Sequence, residues 1–330
     1  MLKILIVGTG SIGERHLRCF QATGRAELRF VDVNAELRRT IAERYRVNGA
    51  FADLDSALGE RPDVAVVCTP AHLHVPMAQR LVEAGVHVLI EKPLSTNLDG
   101  IDRLQQTIAV KQVTVGVAYV YRSHPHLKAM RAAIRSGRFG RPVELIVISG
   151  QHFPTYRPAY RDIYYKDRAT GGGAIQDALT HLVNAAEWLV GPVNRLVVDA
   201  DHQVLDGVSV EDTVHLLARH GSVLGSYSLN QYQSPNETVF TVVCERGTFR
   251  WELHESRWRW LEKPGDAWHD ELMAPLERDS LFVTQAHAFL DAIEFKGDVP
   301  CTLMDGLQTL RVNLAALASL NQGTWQVTGA

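Results

Sequence analysis

Residues 2–13 read Leu2-Lys3-Ile4-Leu5-Ile6-Val7-Gly8-Thr9-Gly10-Ser11-Ile12-Gly13, and this stretch decides the fold. A short apolar run makes a buried strand. Glycines spaced G-x-G-x-x-G follow at once, and a helix-like pattern follows them. The first glycine makes a tight turn, the second lets a pyrophosphate approach the backbone, and the third lets helix and strand pack closely. The helix starting there turns its N-terminal amides toward the phosphates. By itself the spacing is weak. Directly after a strand it points to dinucleotide binding through Gly8, Gly10, Ser11, Ile12 and Gly13. The alternative is a glycine-rich turn kept for packing alone.

The rest of the first third extends this unit. Apolar runs at 3–7, 28–31, 64–67, 86–90 and 113–117 alternate with amphipathic stretches at 35–46, 75–84 and 98–110. The runs are near-continuous in Val, Ile and Leu, as strands covered on both faces require. Such alternation predicts a parallel sheet with helices on both sides. Asp32 closes the second run, 19 residues after Gly13. An acidic residue there hydrogen-bonds the adenosine ribose hydroxyls, and its charge repels a 2′-phosphate, so NAD is favoured over NADP. Arg38 and Arg39 follow on the next helix and leave NADP open, with solvated helix surface as their simpler reading.

Cys68-Thr69-Pro70-Ala71-His72-Leu73-His74 follows the run at 64–67, at the carboxyl end of a strand, where ligands bind in open α/β sheets. Thr69, Pro70 and His74 are therefore expected beside the cofactor. His72 and His74 have no Cys or carboxylate ligand nearby, so no metal is expected. Glu91-Lys92-Pro93 closes the run at 86–90. Pro93 fixes its own backbone and biases Lys92 toward an extended conformation. A lysine so held at a strand end presents a rigid ammonium to a pocket. The alternative is a surface turn with a solvated lysine.

After about residue 121 the pattern changes. Alternating runs at 143–150, 195–199, 213–218, 223–230, 238–244 and 248–253 read as a largely antiparallel sheet with one face covered. Helices are expected at 127–136, 175–189, 281–295 and 303–320. The expected fold class is α/β: an N-terminal Rossmann doubly wound parallel sheet over 1–121, then a C-terminal α+β domain over 122–330 with a large open, mainly antiparallel sheet. Inside the second domain, Gly171-Gly172-Gly173 launches a helix that carries Asp177 and His181 four apart, on one face. A carboxylate and an imidazole so placed suit acid–base chemistry, histidine being the side chain that titrates near neutral pH. A surface pair worth roughly a few tenths of a kcal/mol is the alternative.

Composition bounds the function. With 46% hydrophobic and 22% charged residues, the 330-residue chain matches ordinary globular proteins. A formal charge of −3 provides no basic field for nucleic acid. No apolar run approaches the roughly 18 residues of a membrane span. The apolar start is too short for a signal-peptide core, and Cys19, Cys68, Cys244 and Cys301 show no paired spacing, so a cytoplasmic setting is expected.

Taken in order, the glycine turn at 8–13, Glu91-Lys92-Pro93 and the helix bearing Asp177 and His181 resemble the glucose-fructose oxidoreductase / inositol dehydrogenase (Gfo/Idh/MocA) family over essentially the whole chain. The resemblance implies an NAD(P)-dependent oxidoreductase. The reaction would exchange a hydride between nicotinamide C4 and a secondary alcohol or ketone of a sugar, sugar acid, sugar nucleotide or cyclitol. It implies Lys92, Asp177 and His181 as catalytic residues in contact with substrate, with Glu91 and Lys92 also beside the cofactor. It implies a frequently cis peptide before Pro93 and, less directly, places Arg122 near the cofactor. A homodimer or homotetramer built through the C-terminal sheet is implied too, with the last helix, 303–320, packing back near the domain junction. Two other activities known among such relatives stay open: an NAD-dependent glycosidase with transient redox, and a non-catalytic dinucleotide- or sugar-sensing regulator.

The segment 152–168 is individual to this chain. It interleaves Tyr156, Tyr160, Tyr164 and Tyr165 with Arg157, Arg161, Lys166 and Arg168. Aromatic faces plus arginines suit a sugar ring bearing an acid or phosphate, with Tyr156 and Arg157 as substrate contacts. An oligomer contact or surface loop is the alternative.

Overall fold

In the computed structural model, which describes residues 1–329, the early apolar runs become the strands they predict. Strands β1 (Leu2–Val7), β2 (Ala26–Val31), β3 (Gly49–Phe51), β4 (Val64–Val67), β5 (His87–Ile90) and β6 (Val115–Val117) form one sheet, ordered β3-β2-β1-β4-β5-β6. Every pairing in it is parallel. The order reverses at β1 and β4, the switch point where ligands bind in such sheets. The crossovers include α1 (Ser11–Ala22), α2 (Ala35–Tyr45), α3 (Leu54–Leu58), α4 (His74–Glu83) and α5 (Ile101–Lys111). Periodicity misses β3 and α3, because three and five residues are too few to show a period.

The chain divides into two compact units: Met1–Ser123 with Glu277–Gly306, and His124–Leu276 with the residues from Leu307 onward. The cut read at 121/122 from sequence therefore becomes three crossings. Segment Glu277–Gly306, placed in the second domain by its position in the chain, groups with the first. The reason is apolar burial. Ala286, Phe289 and Leu290 join Ile4, Ile6, Phe20, Phe30 and Leu89 in one core cluster. Burying Phe289 alone stabilises this docking by about 2–3 kcal/mol. Residues of the segment also pair with the sheet: Gly116 bridges Thr302, and the Val117 amide donates to the Cys301 carbonyl.

The second unit opens with α6 (Pro125–Arg135), β7 (Pro142–Gly150), the short α7 (Phe153–Tyr156) and α8 (Thr180–Val190). Then come β8 (Arg195–Asp201), β9 (Thr213–His220), β10 (Val223–Asn230), β11 (Glu237–Cys244), β12 (Gly247–Glu252), β13 (Arg257–Leu261) and β14 (His269–Leu272). Helix Ser280–Glu294 of the first unit is α9, Leu303–Gln322 is α10, and Gln326–Val327 is β15. The sheet has nine strands, ordered β14-β13-β12-β11-β7-β10-β9-β8-β15. All its pairings are antiparallel except β7 with β10. Strands β13, β14 and β15 extend it beyond the runs read from sequence. β14 is exposed throughout and so lacks an apolar face to detect. The helix expected at 175–189 begins as a π-turn, Ile175–Leu179, before α8 takes over at Thr180. Among the described residues, no helix is long and apolar enough to cross a membrane.

Candidate active site

In the first unit, backbone builds the phosphate end. Gly8 follows β1 at φ 87°. A Cβ on Gly13 would lie 1.9 Å from the Gly8 carbonyl oxygen, so strand and helix approach this closely only through glycine. A Cβ on Gly10 would meet nothing within 4 Å, which leaves that backbone open. Gly10 is also the N-cap of α1 and supplies no side-chain cap, so the first amides of the helix, at Ser11 and Ile12, suit an anion. At the end of β2, Asp32 Oδ2 accepts the Thr9 amide at 2.8 Å and the Thr9 hydroxyl at 3.0 Å, while Oδ1 accepts the Asn34 amide at 2.9 Å. Arg38 folds back and donates to the Asp32 carbonyl at 2.7 Å. Thr69 carries a buried hydroxyl oxygen with no hydrogen-bond partner among the described residues, and Pro70 beside it is exposed. Open backbone, uncapped amides, an anchored carboxylate and an orphan hydroxyl fit a dinucleotide.

Glu91, Lys92 and His74 form a second cluster at the ends of β4 and β5. Glu91 is 4% exposed. Its Oε1 pairs with His16 Nε2 at 2.7 Å, and its Oε2 accepts the Lys92 amide at 2.9 Å. Burial works to raise the carboxyl's pKa, but His16 and Lys92 outweigh it and hold it below the ordinary carboxylate range. The Lys92–Pro93 peptide is cis, as the resemblance implies. His74 is buried, with Nδ1 2.8 Å from the Pro93 carbonyl and Nε2 2.7 Å from the Thr69 carbonyl. Burial pushes its pKa down despite those carbonyls, and a neutral ring donates to one of them at a time. Through these bonds Glu91 and His74, expected from sequence beside the cofactor, fix the Thr69 and Lys92 loops. Arg122 is likewise drawn inward. Its Nη1 lies 3.0 Å from Asp305 and 3.3 Å from the Pro300 carbonyl, tying the end of the first stretch to the returning segment.

In the second unit, Asp177 sits on the π-turn and His181 in the first turn of α8. A Cβ on Gly172 would fall 2.2 Å from the Tyr165 carbonyl oxygen, so the segment before the helix packs directly on its launching glycines. Glu211 organises the start of the helix: Oε1 accepts the Ile175 amide at 3.1 Å and Oε2 accepts Arg168 Nε at 2.8 Å. The Asp177 side chain is 0% exposed, and Arg157 Nη1 donates to it at 2.9 Å. Tyr164 Oη donates to its other oxygen at 2.7 Å. Segment 153–170 is a strap of short helical turns. Its Phe153, Tyr160 and Tyr165 are buried with Leu205 and Val210 in a small core of their own. Burial, then the charges of Asp177, Glu211 and Asp212, push the Tyr165 phenol well above its ordinary pKa, so it stays protonated. Tyr156 remains 60% exposed. Sequence alone singles out neither Glu211 nor His16. The cue for Glu211 is the adjacent acidic pair Glu211-Asp212 just before β9, which the fold buries.

The first unit is thus built as a dinucleotide-binding Rossmann module, and the second carries a buried carboxylate and an imidazole on its Gly-launched helix. A family model described as an oxidoreductase family with an NAD-binding Rossmann fold matches residues 2–119. The GFO/IDH/MocA C-terminal domain matches 127–250. The chain belongs to the GFO/IDH/MocA family of oxidoreductases, and its cofactor is NAD. It is 26% identical over 330 residues to 1,5-anhydro-D-fructose reductase of Ensifer adhaerens, covering 96% of each chain. It is 27% identical to the rhizopine catabolism protein MocA of Rhizobium meliloti, covering 82% of this chain and 83% of that one. A solved levoglucosan dehydrogenase in complex with NADH and levoglucosan has the same fold, with TM-score 0.89, 20% identity and 100% of both chains covered.

Proposed function

We propose that the chain interconverts a secondary alcohol and a ketone on a sugar or cyclitol, with Lys92, Asp177 and His181 acting on one substrate. Oxidation of such an alcohol removes a hydride from carbon and a proton from oxygen. Bound NAD supplies the hydride acceptor in oxidation and the donor in reduction. His181 takes the hydroxyl proton as general base and returns it in the reverse direction. The Lys92 ammonium hydrogen-bonds the same oxygen and stabilises the alkoxide charge that develops there. Exchanging the roles of Lys92 and His181 conserves the same proton balance. Asp177 accepts from a neighbouring hydroxyl and orients the ring. The glycine turn, Asp32 and Thr69 hold the cofactor, and the Asp32 carboxylate favours NAD over NADP.

The observation that carries this reading is the intact set of Lys92, Asp177 and His181 in a chain of an NAD-binding oxidoreductase family. The names of its relatives, 1,5-anhydro-D-fructose reductase, inositol 2-dehydrogenase and UDP-N-acetylglucosamine 3-dehydrogenase, support a sugar, cyclitol or sugar nucleotide as the substrate. Steady NADH formation from NAD with a panel of sugars and cyclitols tests it. Release of a leaving group without net NADH would favour a glycosidase, and no chemistry despite binding would favour a sensor.

Two further points belong to this reading. Ile148, Leu217 and Leu224 are exposed on one face of the nine-stranded sheet, which supports a homodimer or homotetramer through that sheet. The four cysteines are free and buried, which suits a reducing cytoplasm.

A further inference from the structure

Around the end of β2 the chain places Arg29 on the strand and Arg38, Arg39 and Arg44 on α2. Arg44 pairs with Glu14, and Arg29 pairs with Glu27 at 2.9 Å. Arg39 is exposed. Arg38 differs from all of them. It is half-buried, and among the described residues it makes no ion pair. Its side chain donates instead to a neutral acceptor, the Asp32 carbonyl, 2.7 Å from Nη1. An arginine carries five N–H donors in a rigid fork, so one such tether fixes the guanidinium and leaves most of the fork for a ligand.

The carboxylate of Asp32 is held as firmly. Oδ2 accepts the amide and the hydroxyl of Thr9, and Oδ1 accepts the Asn34 amide. Gripped through both oxygens, it stays in place when a second anion approaches and repels it. Val33, the next residue, is 89% exposed, so the strand end is open to solvent. One strand end thus presents a fixed negative charge and a tethered positive charge that no acid neutralises. A phosphate is the anion that an arginine fork matches, through two parallel hydrogen bonds.

We propose that Arg38 is a standing receptor for the 2′-phosphate of NADP, and that the Asp32 charge is what keeps the chain on NAD. The inference rests on Asp32 reading the adenosine ribose, as in the function proposed above. Discrimination is then by repulsion at a site otherwise built for the phosphate, and Arg38 is a specificity residue for the cofactor.

The test titrates the full chain with NADH and with NADPH, by calorimetry or fluorescence. The wild type should bind NADH at least about tenfold more tightly than NADPH. Asp32→Asn keeps an acceptor oxygen for Thr9 and loses the charge. It should weaken NADH by about fivefold and tighten NADPH by about tenfold or more. Arg38→Leu added to it should cancel that gain. Arg38→Leu alone, which leaves the Asp32 anchors untouched, should lower NADPH affinity relative to NADH by about tenfold, and it decides the matter if Asp32→Asn does not fold. An Arg38→Leu protein whose NADPH-to-NADH ratio is unchanged overturns the inference. So does a wild type that binds both dinucleotides equally. Asp32→Asn that weakens NADH without tightening NADPH sinks the role of Arg38 and spares the ribose reading of Asp32. Unchanged affinity for both dinucleotides sinks the two together. Binding is read without turnover, so a failure of hydride transfer would leave this inference standing.

Discussion

Two buried carboxylates, one in each unit, stand beside candidate catalytic side chains and are held in different ways. Glu91 precedes Lys92. It is gripped by His16, which lies 75 residues earlier on the helix launched by the glycine turn, and by the amide of the very next residue. Asp177 precedes His181 by one helical turn. Its partners Arg157 and Tyr164 come from the strap and keep 44% and 38% of their surfaces exposed. Glu91 is closed on all sides and fixes a loop. Asp177 is reached through partners that themselves meet solvent. A buried carboxylate with buried partners should therefore act on stability, and one with exposed partners on substrate. Substitutions in the two regions can break or sharpen that contrast.

The largest expected effect is at the residue Glu91 supports. Lys92→Ala removes a donor from the alcohol oxygen while leaving the Lys92 amide to bond Glu91. Turnover should fall by roughly a thousandfold, with NADH affinity, read by fluorescence titration, nearly unchanged. Turnover close to wild type would remove Lys92 from the mechanism. Next is Gly13→Ala, which tests how far the first unit depends on backbone alone. The new Cβ would need to occupy space 1.9 Å from the Gly8 oxygen. Destabilisation of about 3 kcal/mol by denaturant unfolding, with loss of NADH binding, is expected. Unchanged affinity would mean the turn shifts freely, and the glycine would lose its packing role.

The two regions also differ in how much of them sequence exposes. The glycine turn, Asp32 and Lys92 are legible as candidates because each rests on residues a few positions apart and on strand ends that the apolar runs locate. The same holds for the spacing of Asp177 and His181. What escapes is long-range: Arg168 meets Glu211 across 43 residues, and Arg157 meets Asp177 across 20. No periodicity links such partners, so the strap reads as four tyrosines and four cations open to ligand. In the fold, Tyr160 and Tyr165 are buried and only Tyr156 and Tyr164 keep substantial exposure. The return of Glu277–Gly306 to the first unit escapes for the same reason. Its apolar stripe is visible in sequence, but which core receives it is not.

Glu91→Gln tests the stability side of the contrast. The substitution weakens a charge-assisted bond to His16 and should cost about 2 kcal/mol at neutral pH. The pH dependence has a definite sign. The folded-state pKa of Glu91 lies below its ordinary value of 4.5, so its contribution is fully present above that pH. It is lost as pH falls below 4.5 through the folded value. Wild-type stability should therefore fall on acidification by more than that of Glu91→Gln, measured by denaturant midpoints at matched pH. Parallel curves would show that Glu91 contributes no linked proton.

The smallest expected effect lies on the substrate side, at Tyr164→Phe. The phenol oxygen donates one hydrogen bond, at 2.7 Å, to a carboxylate that Arg157 also holds. Phenylalanine keeps the ring and removes the donor, so the strap should retain its packing and the melting temperature should barely move. Asp177 would keep its charge partner and lose part of its orientation. A fall of about fivefold in kcat/KM, near 1 kcal/mol, is expected, carried mainly by kcat if the carboxylate orients the reacting ring rather than only binding it. A purely structural tyrosine would lower the melting temperature and leave the kinetics of the folded fraction unchanged. That outcome would move Asp177 into the same category as Glu91 and dissolve the distinction between the two regions.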